Sequence, residues 1–233
     1  MSDNRKLSRR RFLTALAGAA GVGAVWKLRG KKIGAPAGAS APRHAADRLP
    51  PGQHWVGELV EYSAGGRPAI DEGAWMLRVD GLVARTLEFD LKEFRTLPHI
   101  ESIRDFHCVT TWSVRECRWR GVRLADLLTM AGPTPEAGHV FVECYGGYST
   151  NISLAVATLP DVILADEYQR KPLPHMFGGP VRLVVPSLYA YKSAKWVNRI
   201  VLLGREKLGY WERYGYSNNA DPWKQQRWSR DDV

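Results

Sequence analysis

The sequence predicts a β-rich α+β domain, a mixed single domain, on three observations. Short apolar segments bounded by turn residues recur between residues 75 and 203, only two short stretches carry helical signals, and no internal repeat is present. A chain of 233 residues is long enough to bury one sizeable core.

Residues 34–53 are rich in Gly, Ala and Pro without apolar periodicity, so they read as a linker, and the domain begins near His54. In residues 75–81, Trp75, Leu77 and Val79 alternate onto one face, which predicts a strand ending in a turn. Asp90 caps a short helix: Glu93 stands in the capping-box position ahead of Phe94 and Leu97, and Pro98 closes the segment. An alternating run, 102–106, then leads to Cys108 and a Thr110-Thr111-Trp112 turn. Residues 119–122 predict a short strand. Leu124, Leu127, Leu128 and Ala131 recur at spacings of three and four before Gly132 and Pro133, a helix with its stop signal. Residues 140–144 and 149–154 flank Tyr145-Gly146-Gly147-Tyr148, a hairpin with a Gly-containing turn. Residues 162–165, 181–185 and 196–203 predict three further strands. The tail from Leu208 carries Tyr210, Trp211, Tyr214, Tyr216, Trp223 and Trp228, a density of aromatics expected to dock onto the domain.

The formal charge of +9 is concentrated at one end. Residues 1–41 hold nine Lys/Arg against one acid, which leaves the remainder of the chain at +1. A nucleic-acid binder would carry a basic face on its folded part, so that class is excluded. Residues 7–26 place twin arginines, Arg9 and Arg10, ahead of Phe12-Leu13 and an Ala/Gly-rich run of about fifteen residues, short of the roughly 20 that span a bilayer. With basic residues following the run, this reads as a twin-arginine export signal, engaging the twin-arginine machinery. The expected organisation is an export signal over 1–41, a linker over 42–53, a folded domain over 54–205 and a packed tail over 206–233. The protein is expected to be periplasmic or exported, or tethered if the signal stays uncleaved. That route carries folded proteins, as is needed when a cofactor is inserted before export.

Three cysteines, at 108, 117 and 144, cannot all pair within one chain. For Cys108 the residues alone leave three readings open: a disulfide with Cys117, a buried thiol, or a thiolate bound to a soft metal. Cys117 and Cys144 read as packing residues. A zinc site from His107, Cys108 and Cys117 lacks a fourth ligand. No covalent-haem motif, four-cysteine iron–sulfur set, P-loop, Gly-x-Ser-x-Gly or dinucleotide fingerprint is present.

The run Cys108-Val109-Thr110-Thr111-Trp112-Ser113 resembles the metal-ligand segment of the sulfite oxidase superfamily of molybdopterin-dependent oxidoreductases. It is most similar to the small bacterial haem-free branch that includes the catalytic subunit of periplasmic methionine sulfoxide reductase. The resemblance spans roughly residues 53–223. It implies a molybdopterin-binding oxidoreductase domain, a molybdenum-molybdopterin (Mo-pyranopterin) cofactor, and Cys108 as the one protein bond to the metal.

In a second stretch, 178–203, a Gly-Gly-Pro turn precedes a strand holding Arg182, and a later turn presents Lys192 and Lys195 around Ser193-Ala194. From the residues alone, an arginine between Val181 and Leu183 needs an anionic partner, either a carboxylate or a phosphate cradled with lysine and backbone N–H groups. In the first case the lysines are solvated. The resemblance implies that Arg182, Ser193, Ala194 and Lys195 hold the pterin and its phosphate, with Cys144 against the cofactor from a strand. Relatives carry Asn or His just before the Gly-x-Pro turn. Here Phe177 stands there and His175 two residues earlier, so His175 either replaces that contact or the contact is lost.

Animal and plant sulfite oxidases place an arginine in the turn after the ligand cysteine, whereas this chain has Thr111, Trp112 and Ser113. A less cationic pocket suits a neutral sulfoxide or similar oxo-donor better than sulfite. The resemblance thus implies two-electron oxo transfer, with reduction of a small-molecule or protein-bound sulfoxide first and sulfite-type oxidation second. With no second redox centre in the sequence, electrons pass to or from a membrane haem protein or a soluble cytochrome. The competing class is a non-enzymatic exported module with a Cys108–Cys117 disulfide.

Overall fold

A computed structural model describes residues 49–232, so the expected export signal and most of the expected linker lie outside the described residues. Among the described residues, eleven strands form two sheets. The first sheet has six strands: β1 (His54–Val56), β4 (His99–His107), β5 (Trp112–Arg123), β8 (Ile163–Tyr168), β9 (Lys171–Pro172) and β10 (Arg182–Val184). The second has five, in the order β3 (Leu87–Asp90), β2 (Met76–Gly81), β11 (Val197–Leu203), β6 (His139–Cys144) and β7 (Ser149–Ser153). Most pairings are antiparallel; β1 with β5 and β11 with β2 are parallel. Helices are short: α1 (Leu91–Thr96), α2 (Leu124–Ala131), α3 (Leu154–Ala157) and α4 (Tyr210–Arg213). Few helices on mixed sheets is the α+β architecture.

Local chemistry accounts for the helices. Asp90 accepts from the Glu93 N–H at 2.7 Å while the Glu93 carboxylate accepts from the Asp90 N–H at 3.0 Å, a complete capping box at the start of α1. In α2 the four apolar residues at helical spacing are the four buried ones, and Gly132 closes it in the left-handed region at φ +68°.

The main core lies between the sheets, where Leu77 and Val79 of β2, Val140 and Val142 of β6, and Ile200 and Leu202 of β11 meet the apolar face of α2. Trp75 and Phe94 add an edge-to-face pair at 5.7 Å. The first sheet is buried on both faces. Leu164 and Leu183 turn to the main core, while their neighbours Ile163, Ala165 and Val184 turn the other way, onto a second cluster with Phe106, Cys108, Trp112 and Trp119. That second face carries the site.

The strand expected over 119–122 is the end of a twelve-residue β5, paired to a nine-residue β4. Register shifts at Arg104/Phe106 and Arg120/Gly121 interrupt the alternation that would otherwise advertise long strands. The tail engages the domain: Tyr191 donates to the Ser217 carbonyl at 2.5 Å, the Tyr189 N–H to the Ala220 carbonyl at 2.8 Å, and Arg227 to the Val109 carbonyl.

Candidate active site

The end of β4 and the start of β5 make the turn that positions Cys108. Its N–H donates to the Trp112 carbonyl at 2.9 Å and its carbonyl accepts from the Thr111 N–H at 3.1 Å, with Thr111 at φ +80°. Because side chains alternate along β4, Phe106 and Cys108 enter the second cluster while His107 points to the reverse side.

On that reverse side a buried polar ring fixes the turn. The Gln53 amide donates Nε2–H to the Cys108 carbonyl at 3.1 Å, and its Oε1 accepts from the Ser113 hydroxyl at 3.1 Å. Ser113 Oγ lies 2.8 Å from His107 Nδ1. Burial holds the His107 pKa down, at about 4, so the ring is neutral. Since Ser113 spends its proton on Gln53, Nδ1 carries the imidazole proton and donates to Ser113.

Cys108 opens on a cavity of about 580 Å³, within the range of small-molecule and cofactor pockets. Leu59, Val60 and residues 62–65 form one side, and Tyr210, Trp211 and Tyr216 of the tail form another. Arg182, Ser193, Ala194, Lys195 and Trp196 also line it, and no Asp or Glu does. Cys108 Sγ lies 3.1 Å from the Thr110 hydroxyl. Burial pushes the thiol pKa up, while that hydroxyl, nearby backbone N–H groups and the Arg227 charge pull it back. A metal cation bound at Sγ would take the proton's place.

Arg182 is buried, and among the described residues it has no carboxylate partner. It donates Nη1–H to the Phe177 carbonyl at 2.8 Å and Nη2–H to the Ser193 carbonyl at 2.7 Å, and its guanidinium lies 5.3 Å and 5.1 Å from the Phe106 and Trp119 ring centres. Burial brings its pKa down to about 10. Lys195 donates to the carbonyls of Tyr62 at 2.7 Å and Met176 at 2.8 Å, and burial, then the Arg182 charge, brings it to about 8. Gly178, at φ +109°, permits that approach: a Cβ there would stand 2.9 Å from the Lys195 Cβ.

The carboxylate bridge and solvated lysines that composition allowed are therefore absent. Arg182 faces carbonyls and rings, and Lys192 is fully buried on Glu212 at 2.6 Å. The disulfide alternative is also corrected, since all three cysteines are free. Cys117 pairs opposite Arg104 in β4, four residues from Cys108, or about 13 Å along a strand. A disulfide tolerates about 7 Å. Burial pushes Cys117 up to about 12. Among the described residues no cluster of three or more His, Cys, Asp or Glu is placed to hold a metal, which removes the zinc reading.

Of the residues singled out from sequence, Cys108, Arg182, Ser193, Ala194 and Lys195 converge on the cavity. Cys144 and His175 are not in its lining: Cys144 belongs to the main core and borders a separate hollow beside Glu143 and Asn198, and the His175 ring packs 5.6 Å from Trp196. Phe177 itself lines the cavity. Sequence reasoning missed Gln53, Tyr148, which lines the cavity and donates to the Tyr191 carbonyl at 2.6 Å, the lining residues 59, 60 and 62–65, and the role of Lys192. Nothing local marks them, because each acts through a partner distant in the chain.

The donor set fits a molybdopterin. A thiol is a ligand for a soft metal, and a guanidinium with an ammonium in a cavity lined by no acid complements a phosphate.

Comparison with known proteins agrees. Residues 64–211 match the family described as oxidoreductase molybdopterin binding domain. The chain is 36% identical to the uncharacterized oxidoreductase YuiH of Bacillus subtilis (strain 168), over 79% of this chain and 93% of that one. It is 33% identical to the protein-methionine-sulfoxide reductase catalytic subunit MsrP of Gluconobacter oxydans (strain 621H), over 67% of this chain, and spans only 57% of that relative's length. The crystal structure of the sulfane dehydrogenase SoxCD from Paracoccus pantotrophus shares the fold, with a TM-score of 0.59 at 22% identity, over 67% of this chain and 44% of that one. The chain therefore belongs to the molybdopterin-binding oxidoreductase family of the sulfite oxidase type, and it is an enzyme.

Proposed function

We propose that this protein is an exported molybdenum oxidoreductase that transfers an oxo group between the metal and substrate, reducing a sulfoxide or similar oxo-donor. The observation that carries the reading is the convergence of one thiol and two cations on a cavity that no carboxylate lines. Cys108 would hold the metal, while Arg182, Lys195 and the Ser193–Ala194 backbone would hold the pterin and its phosphate. When bound, the cofactor supplies a metal that cycles between two oxidation levels as the oxo group moves.

The chain's own residues do the rest. The Gln53–Ser113–His107 ring orients the thiol from behind. Tyr210, Trp211 and Tyr216 give the cavity an aromatic side that sheds water around a neutral substrate. Both lining cations would be matched by the phosphate of the pterin, and the turn after the thiol, Thr110-Thr111-Trp112, adds no further cation, which leaves little positive field for sulfite. That favours a neutral sulfoxide over sulfite-type oxidation. Electrons come from a membrane haem protein or a soluble cytochrome, since the sequence carries no motif for a second redox centre. Export by the twin-arginine route to the periplasm rests on Arg9-Arg10 and the run that follows.

The test is turnover with artificial electron partners. With a reduced viologen as donor, methionine sulfoxide is expected to be consumed; with sulfite and ferricyanide, turnover is expected to be far slower. The opposite ranking assigns sulfite-type oxidation, and turnover of neither refutes the substrate reading.

A further inference from the structure

Lys192 immediately precedes the Ser193–Lys195 segment, yet it does not line the cavity. Its fully buried ammonium gathers acceptors from three places: Asn151 O at 3.0 Å and Oδ1 at 3.1 Å on β7, Glu212 Oε1 at 2.6 Å on α4, and Asn218 Oδ1 at 3.5 Å in the tail. Glu212 Oε1 also accepts from the Thr150 hydroxyl at 2.8 Å. Glu212 directly follows Tyr210 and Trp211, which also line the cavity. Gly209, just before them, presses on β7 so closely that a Cβ would stand 2.4 Å from the Thr150 Cα and 2.6 Å from Glu212 Oε2.

One buried ion pair thus joins the segment that carries Ser193, Ala194 and Lys195 to the aromatic tail, two parts of the cavity wall distant in the chain. An apolar pair of similar volume would pack as well and would often be as stable. What an apolar pair cannot do is donate along three directions at once and hold both walls in register. The charges therefore do something that stability alone does not require.

We propose that Lys192 and Glu212 are positioning residues for the cofactor cavity, a clasp that keeps the 193–195 segment and the Tyr210–Trp211 wall at the separation that retains the bound group. This rests on the reading of the cavity as the molybdopterin site. In Glu212→Gln the ammonium keeps a neutral acceptor but loses its counter-charge, so the clasp opens. In Lys192→Met/Glu212→Leu both charges are gone, the core is filled, and the geometry is not restored.

The test compares wild type, Glu212→Gln and the double variant, each purified from a host that makes the cofactor. Three readouts are taken: melting temperature, the rate at which pterin is lost on dilution, followed by fluorescence after oxidative release, and amide hydrogen exchange at 193–195 and 209–216. The clasp predicts pterin loss about tenfold faster in both variants, in the range of ordinary coupling between two sites. It also predicts faster exchange in both segments, even though the double variant melts close to wild type. A double variant that retains pterin like wild type, with retention following melting temperature across the set, overturns the proposal: the pair is then only structural. Wild type without pterin overturns the functional reading instead. Exchange still decides the clasp in that case, since unchanged exchange at 193–195 in Glu212→Gln refutes it and faster exchange supports it.

Discussion

Replacing Gln53 by leucine removes the amide behind the Cys108 turn at nearly constant volume. Two hydrogen bonds go, Nε2–H to the Cys108 carbonyl and Ser113 Oγ–H to Oε1, both buried and both 3.1 Å. The Cys108 carbonyl keeps its bond from the Thr111 N–H, so it is not orphaned, and the Ser113 hydroxyl keeps His107. Two neutral bonds at about 1 kcal/mol each give a loss of about 2 kcal/mol. In a domain of this size that lowers the melting temperature by about 4–8 °C. Gln53→Glu is the sharper probe. It keeps the shape and the Oε1 acceptor but sets a second oxygen against the Cys108 carbonyl. Burial there raises the new carboxyl's pKa in the folded state, so the deficit is small below the unfolded value of about 4.3 and grows as pH rises through it. The assay is thermal melting by circular dichroism from pH 4 to pH 8, with molybdenum content measured on the same samples. A melting point within about 1 °C of wild type in both variants at every pH, with metal content unchanged, refutes the claim that the ring holds the turn.

Three further outcomes follow from the same contacts. Asp90→Ala removes the carboxylate that accepts from the Glu93 N–H, leaving only the Asp90 N–H half of the capping box, and is expected to cost about 1 kcal/mol, read as a lower urea midpoint with an unchanged slope. At Asp80, burial opposes ionisation, but hydrogen bonds from Arg199 and Arg78 outweigh it and hold the carboxyl below its ordinary 3.8. Its contribution is present above that value and lost as pH falls below it, so Asp80→Asn is expected to flatten the acid limb of the stability curve. Cys117→Ala trims a fully buried thiol and is expected to lower the melting temperature by a few degrees while leaving molybdenum content at wild-type level. Loss of the metal in that variant contradicts the placement of the ligand at Cys108.

Where chemistry is local, the sequence was readable. Asp90 with Glu93, and Leu124 through Ala131 with Gly132, carry their own start and stop signals and form the helices expected of them. The length of β4 and β5 was not readable. Arg118 pairs with Glu101 across the two strands and Arg120 with Glu167 across β5 and β8, so charged residues face outward among apolar ones, and two register shifts break the period. In the site, Cys108, Arg182 and the 193–195 segment were legible because they sit in short contiguous motifs. Lys192 was not, since a lysine in a turn reads as solvated until Glu212, twenty residues on, folds back over it. Gln53 lay at the end of the expected linker, and its partners at 108 and 113 come together only once β1 pairs with β5. Between His175 and Phe177 only tertiary packing decides: Trp196 takes the imidazole, and the phenyl ring reaches the cavity.

The most direct test of the central claim is the molybdenum and pterin content of protein purified from a cofactor-producing host, wild type beside Cys108→Ser. The account predicts near-stoichiometric molybdenum and pterin in wild type. In the variant it predicts a large loss of metal at an unchanged melting profile, because the serine hydroxyl is a far weaker ligand for a soft metal. Equal metal in the two proteins, or well-folded wild type holding neither component, contradicts it.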